Sequence, residues 1–224
     1  FFLVCIAIAL NQTPDDRGYI VNVAEKSPDF ILDFPDGSQI SLKDLKGQVT
    51  LLQFTASWCH VCREEMPHIE KEIWKVYKNI GLNVIGIDRD EPAEVVTSFA
   101  KEVQVTYPLA LDPGADIFAL FADRDSGVTR NIILGPDGKI VFLTRLFEIQ
   151  EFDQMKRVIH NLLVDQLREQ KNSLIAKKQI INKMKKQQSR SDRYFTRKLE
   201  TELYKTEREL KRKERKLTLA QKRL

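Results

Sequence analysis

Apolar residues recur along this chain in two rhythms, and the switches between them outline a fold. Phe30-Ile31-Leu32 and Gln39-Ile40-Ser41-Leu42 stand on either side of Pro35-Asp36-Gly37; two short strands around a turn of that composition predict a hairpin. Val49 to Thr55 is a nearly unbroken apolar run, the pattern of a strand buried on both faces of a parallel sheet. From 59 to 79 the rhythm becomes helical, with Met66, Ile69, Ile73, Trp74 and Val76 on one stripe. Pro67 sits inside that stretch and, lacking an N–H, is expected to kink it. Leu82 to Asp88 reads as a second strand, which makes a right-handed βαβ unit the default. A helix is expected over about 91–104 and a short helical piece near 114–121. Asn131 to Leu134 and Lys139 to Leu143 flank Gly135-Pro136-Asp137-Gly138, a second hairpin signal. A helix over about 151–164 closes the pattern through Phe152, Met155, Val158, Ile159 and Leu162. The expected order is hairpin, β, α, β, α, β, β, α.

Beyond 164 the pattern changes. Residues 165–224 contain neither Gly nor Pro and are rich in Lys, Arg, Glu, Gln and Leu, the composition of a long helix. Leu203, Leu210, Leu217 and Leu224 repeat at seven, while Leu167, Leu174 and Ile181 repeat at seven in another register. The two registers meet near 187–193, where either a hinge folds two helices together or one rod carries a stutter. This segment holds 20 Lys/Arg against 8 Asp/Glu, so the chain's modest net +4 divides into an acidic part before 165 and a basic part after it. Such a tail suits a solvated helix, self-association, or attraction to an anionic surface without sequence-specific reading of nucleic acid. At the other end, Phe1 to Leu10 are uncharged and precede a polar stretch. Ten residues are too few to span a bilayer but fit the apolar core of an export signal, with a membrane anchor as the alternative. Residues 1–18 are therefore expected as leader and linker, 19–164 as one domain, and 165–224 as a helical extension. Cys5 lacks the small preceding residues that a lipid-attachment site requires.

The candidate chemistry lies at Trp58-Cys59-His60-Val61-Cys62, where a buried strand hands over to a helix. A thiolate is the nucleophile in disulfide exchange, and a helix N-terminus favours the thiolate through its free N–H groups and dipole. Cys59 holds that position and Cys62 lies one turn inward. The expected cycle has Cys59 attack a substrate disulfide and Cys62 resolve the mixed disulfide. In an exported protein these would be the only cysteines of the mature chain. A metal site would need two more ligands, and His60, His68 and His160 show no ligand spacing, so no metal or other cofactor is expected. His60, between the cysteines, either favours the Cys59 thiolate or is an ordinary exposed residue. Trp58 is expected to cover the thiol pair on one side.

Ser27-Pro28-Asp29-Phe30, Leu45-Lys46-Gly47, Trp58-Cys59-x-x-Cys62-Arg63-x-Glu65-Met66-Pro67 and Gly135-Pro136-Asp137-Gly138-Lys139-Ile140 together resemble the TlpA/ResA-like thiol-disulfide oxidoreductases of bacterial envelopes, over residues 25–164. The resemblance implies a thioredoxin fold, here α/β with an N-terminal β-hairpin and a central mixed sheet flanked by helices, plus the C-terminal helical extension. It also implies reduction of protein disulfides in the periplasm or cell envelope, with an upstream thiol reductant as second partner. Glu65 and Pro67 belong to the motif, although Glu65 also fits a plain helix-surface carboxylate. Three positions depart from the pattern. Thioredoxin proper has a buried acid six residues before the first cysteine; this chain has Gln53, which cannot titrate, leaving water or Glu65 to move protons. A cis-proline normally faces the cysteines; Thr129 stands there, and trans geometry is expected because a non-proline cis bond costs about 2.5–4 kcal/mol. Arg130 is expected to add positive charge near the site. Peroxiredoxins share the fold, but their Pro-x-x-x-Thr-x-x-Cys pattern is absent, since Ala56 stands three before Cys59 and no proline is near. A rival of another class makes the domain a scaffold and the basic helix the working part.

Overall fold

The computed structural model describes residues 17–186 and 193–224. The apolar start expected as a leader, and most of the break between the two heptad registers, lie outside the described residues. One seven-stranded sheet organises the rest, in the order β2-β1-β5-β4-β3-β6-β7. Its members are β1 (Ile31–Asp33), β2 (Gln39–Ser41), β3 (Val49–Thr55), β4 (Leu82–Arg89), β5 (Leu109–Asp112), β6 (Arg130–Leu134) and β7 (Ile140–Arg145). β3, β4 and β5 run parallel, β6 is antiparallel to β3, and both hairpins form as expected. All seven residues of β3 are buried, which is why its sequence does not alternate apolar with polar; Thr50, Gln53 and Thr55 are buried with the rest.

β5 has no counterpart in the sequence reading. Its four residues sit between Pro108 and Pro113, too few to show a period, yet they join the β1–β2 hairpin to the parallel core. The expected helical piece near 114–121 resolves into two 3₁₀ turns, Pro113–Ala115 and Phe118–Leu120. After β3 come α1 (His60–His68), a π-helical stretch Ile69–Trp74 and the short α2 (Lys75–Tyr77). The effect of Pro67 appears as this change of winding: wider π turns follow a proline that cannot supply its own N–H. α3 (Ala93–Glu102) leads into β5.

The last helix of the domain does not stop at 164. α4 runs from Ile149 to Lys186 without interruption, so the boundary expected at 164/165 falls inside a continuous helix. α5 (Arg193–Gln221) packs antiparallel on the distal part of α4 through ion pairs Lys171–Glu214 at 2.7 Å, Lys178–Glu207 at 2.6 Å and Lys185–Glu200. Leu167, Leu174 and Ile181 of α4 and Leu210 and Leu217 of α5 are all buried. The two heptad registers are thus the two sides of one helical hairpin. Near its base, Lys156 pairs with Glu72 at 2.8 Å, and Tyr77 meets the buried His160 at 3.3 Å. No helix among the described residues is long and apolar enough to cross a membrane.

Candidate active site

The strand-to-helix turn after β3 sets the site. Cys59 is the N-cap of α1, and its sulfur lies 3.2 Å from the backbone N of Cys62, one of the N–H groups a helix start leaves free. Cys59 and Cys62 are joined as a disulfide, with their Cα atoms 5.3 Å apart. Cys59 keeps 8% of its surface open, whereas Cys62 has none. The preceding loop is held from two sides. Ser57 donates from its N (2.5 Å) and Oγ (2.6 Å) to the Glu91 carboxylate, and Arg63 Nε donates to the Ser57 carbonyl at 2.6 Å. Arg63 also lies over the Phe99 ring and pairs with Glu102.

Thr129 faces the cysteines from the end of the loop before β6. It is buried, and its Oγ1 lies 3.0 Å from Cys59 Sγ and 3.3 Å from Cys62 Sγ. One hydroxyl proton can serve only one of those sulfurs at a time. The peptide before it is trans, like every peptide bond among the described residues.

Behind the disulfide is a buried acid. Glu65 follows Cys62 by three residues, on the same inward face of α1, and is 1% exposed. The surface-carboxylate reading is therefore corrected: Glu65 lies within the apolar stripe rather than beside it. Its Oε1 accepts from Asn131 Nδ2 at 2.6 Å and its Oε2 from Gln53 Nε2 at 3.1 Å. Tyr107 Oη donates to Gln53 Oε1 at 2.7 Å, which turns the amide so that its nitrogen meets Glu65. Gly86, which pairs with Gln53 across β3 and β4, makes room for the Leu109 side chain, which a Cβ there would strike, while the Tyr107 ring would lie in ordinary contact. Burial is the main force on Glu65 and raises its pKa to about 7; the Asn131 and Gln53 hydrogen bonds oppose the rise, and the Glu151 charge adds to it. Burial likewise keeps Tyr107 a neutral phenol.

A second buried acid was not singled out from the sequence. Asp88, on β4 in register with Thr55, has both carboxylate oxygens buried without a hydrogen-bond partner among the described residues. Burial first, and then Glu91, raises its pKa to about 8. The signal available was an acid that follows the apolar run Val84 to Ile87 within a strand.

One expected neighbour is turned away from the thiols. Arg130 is fully buried on the opposite face of the sheet from Asn131 and Glu65, because adjacent strand residues point opposite ways. Its guanidinium stacks on Tyr19 and Phe118 and donates to the carbonyls of Gly127 and Arg17, so it is a structural cation rather than a charge aimed at the thiols. Trp58, next to Cys59 in the chain, is 63% exposed. His60 is exposed on the first turn of α1. Among the described residues, no group of three or more His, Cys, Asp or Glu could hold a metal ion.

A sequence model described as the AhpC/TSA family matches residues 23–143. The chain belongs to the AhpC/TSA family. Within it, the thiol-disulfide oxidoreductase ResA of Bacillus cereus is 31% identical over 121 residues, covering 54% of this chain and 68% of the relative. ResA of Halalkalibacterium halodurans is 28% identical over 143 residues, covering 62% and 80%. Among solved structures, a Bacteroides thetaiotaomicron protein provisionally described as a protein disulfide isomerase is 56% identical, with a TM-score of 0.63 over 65% of this chain and 92% of that one. A Chlorobium tepidum protein provisionally described as the thiol:disulfide interchange protein DsbE is 25% identical, with a TM-score of 0.57 over 64% and 99%. The family member described here is a TlpA/ResA-like thiol-disulfide oxidoreductase on a thioredoxin fold. The family match ends at 143, before α4 begins, so the helical hairpin lies outside it.

Proposed function

We propose that this oxidoreductase works as a reductase of protein disulfides, with Cys59 as nucleophile and Cys62 as resolving thiol. The observation that carries the assignment is the difference in access: Cys59 is the sulfur an incoming disulfide can reach, and Cys62 is sealed behind it. In the reduced enzyme the Cys59 thiolate attacks one substrate sulfur. The substrate S–S bond breaks, and its other sulfur leaves as a thiolate and takes up a proton. Cys62 then gives its proton to the Glu65 carboxylate, directly or through water, and attacks Cys59 Sγ, releasing the second substrate thiol. The substrate gains two electrons, and the enzyme is left as the Cys59–Cys62 disulfide, which an upstream dithiol must reduce. A carboxyl with a pKa of about 7 is half protonated near neutrality, which suits it to accept that proton and return it. The Thr129 hydroxyl, within reach of either sulfur, supports whichever carries the charge.

Substrate and reductant are proteins of an exported compartment in this reading, supported by the envelope-enzyme resemblance of the motif and by the uncharged Phe1 to Leu10 stretch. The buried heptad leucines support pairing of α4 with α5 within one chain rather than self-association. Trp58 and His60, exposed beside Cys59, are placed to meet substrate first. The test is reduction of insulin by dithiothreitol with wild type and with Cys59→Ser. Acceleration by the wild type that disappears in the variant supports the assignment, and equal rates would end it. Titrating the Cys59/Cys62 couple against glutathione decides the direction, since a couple more oxidising than the glutathione pool would make the protein an oxidant.

A further inference from the structure

The helical hairpin sorts its charges by face. All five acidic residues of α5 are in ion pairs: Glu200, Glu207 and Glu214, seven apart, with Lys185, Lys178 and Lys171 of α4, and Glu202 and Glu209 with Lys205 and Lys213 of α5 itself. Arg208, Arg212, Arg215, Lys216, Lys222 and Arg223 have no acidic partner within salt-bridge distance among the described residues. At about 100° per residue, the buried Leu210 and Leu217 define the face turned to α4, and positions 208, 212, 215, 219 and 223 follow one another along the far side. From 208 to 223 this stripe runs for about 22 Å, and Arg197 and Lys198 stand on the same helix before it, beyond Thr201 and Tyr204. Every acid on α5 that could balance it is already used. Leu219 interrupts the cations between Arg215 and Arg223 and is 60% exposed.

We infer that the outer face of α5 is a docking surface for an anionic phospholipid bilayer, holding the oxidoreductase domain beside the membrane. Unpaired Arg and Lys side chains supply the attraction to phosphate headgroups. The exposed Leu219 among them is what a headgroup–acyl boundary buries and a nucleic-acid backbone does not. The stripe carries no set of Asn, Gln or Asp side chains to read base edges. It lies outside the catalytic domain, so it serves location rather than chemistry.

The test is co-sedimentation of the full chain with vesicles of phosphatidylcholine, with and without phosphatidylglycerol. Wild type is expected to bind the anionic vesicles and not the neutral ones, and to be released by salt. Arg208→Gln, Arg212→Gln and Arg215→Gln combined should lower the partition coefficient roughly a hundredfold, at about fivefold per charge. Leu219→Ser should lower it about tenfold. Gln keeps helix propensity, so far-ultraviolet circular dichroism should be unchanged, as should insulin reduction in solution. No binding to anionic vesicles, or equal binding by the triple variant, overturns the inference. So does a DNA duplex that strips the protein from the vesicles, or a salt-sensitive dimer formed through the same arginines; these assign the stripe to nucleic acid or to a second copy.

Discussion

Replacing Glu65 with Gln tests the buried acid directly, because Gln reproduces the shape of the protonated carboxyl and cannot ionise. Glu65 titrates near 4.5 when the chain is unfolded and at about 7 when it is folded. The folded protein therefore holds this proton more tightly. By linkage, the associated stability is fully present below about pH 4.5 and is lost as pH rises through 7. The difference of about 2.5 units, at 1.36 kcal/mol each, amounts to roughly 3 kcal/mol. A neutral Gln keeps an oxygen for one of the donors Asn131 Nδ2 and Gln53 Nε2 but sets an NH2 group against the other, which the hydroxyl oxygen of a protonated Glu can still serve as acceptor. The variant should therefore start about 1 kcal/mol behind at pH 4. Between pH 5 and 8 the wild type should lose roughly 3 kcal/mol relative to Glu65→Gln, or about 6–12 °C in Tm for a chain of this size. Urea denaturation of both oxidised proteins across pH 4–9 measures this, and taking their difference removes every other titrating group. Parallel stability curves, or a gap that opens on the acid side, would refute the reasoning.

In turnover, the same substitution should slow release of substrate from the mixed disulfide by about a hundredfold while leaving the first attack by Cys59 nearly unchanged, as quenched-flow trapping of the mixed disulfide would reveal. Asp88→Asn should match the wild type below about pH 4 and gain on it steadily between pH 4 and 8, to a lead of several kcal/mol that then holds above pH 8, because the folded-state pKa is raised and the stability its proton brings is lost across that interval; denaturation at pH 4 and pH 9 checks it. Thr129→Val removes the hydroxyl but keeps the side-chain shape, and alkylation of reduced Cys59 at neutral pH should slow by roughly tenfold, the equivalent of one hydrogen bond to a charged acceptor. Leu210→Ala should cost about 2–5 kcal/mol in the hairpin, lowering helicity on heating without altering insulin reduction.

What could be read from the sequence followed the strength of the periodic signals. β3, β4 and both hairpins were legible because continuous burial or a Gly-containing turn marks them. β5 was not, since four residues between two prolines carry no period and are placed only by their neighbours. The cysteine pair could be read from its position after a buried strand, but the orientation of its neighbours could not. Arg130 and Asn131 are adjacent in sequence and lie on opposite faces of the sheet, and only the pairing of β6 with β3 decides which of them meets Glu65.

Gln53 and Glu65 show what a residue-by-residue comparison leaves out. At position 53 alone, the chain has lost the acid that thioredoxin proper keeps there. In three dimensions the acid has moved across the interface between strand and helix, and the two side chains are hydrogen-bonded to each other. The amide cannot hold the proton, but it is fixed by Tyr107 to donate toward the group that does. The burial that would make an acid at 53 useful acts on Glu65 instead, on the helix face that also carries Cys62. The apolar stripe of α1 held the clue: positions 62, 66, 69 and 73 point inward, and a carboxylate at 65 shares their face. The acid thus shares a rigid turn of helix with the resolving sulfur. In the proposed cycle it acts on the second step of exchange, the attack by Cys62, more than on the first, and this ties the hundredfold effect of Glu65→Gln to release of the mixed disulfide.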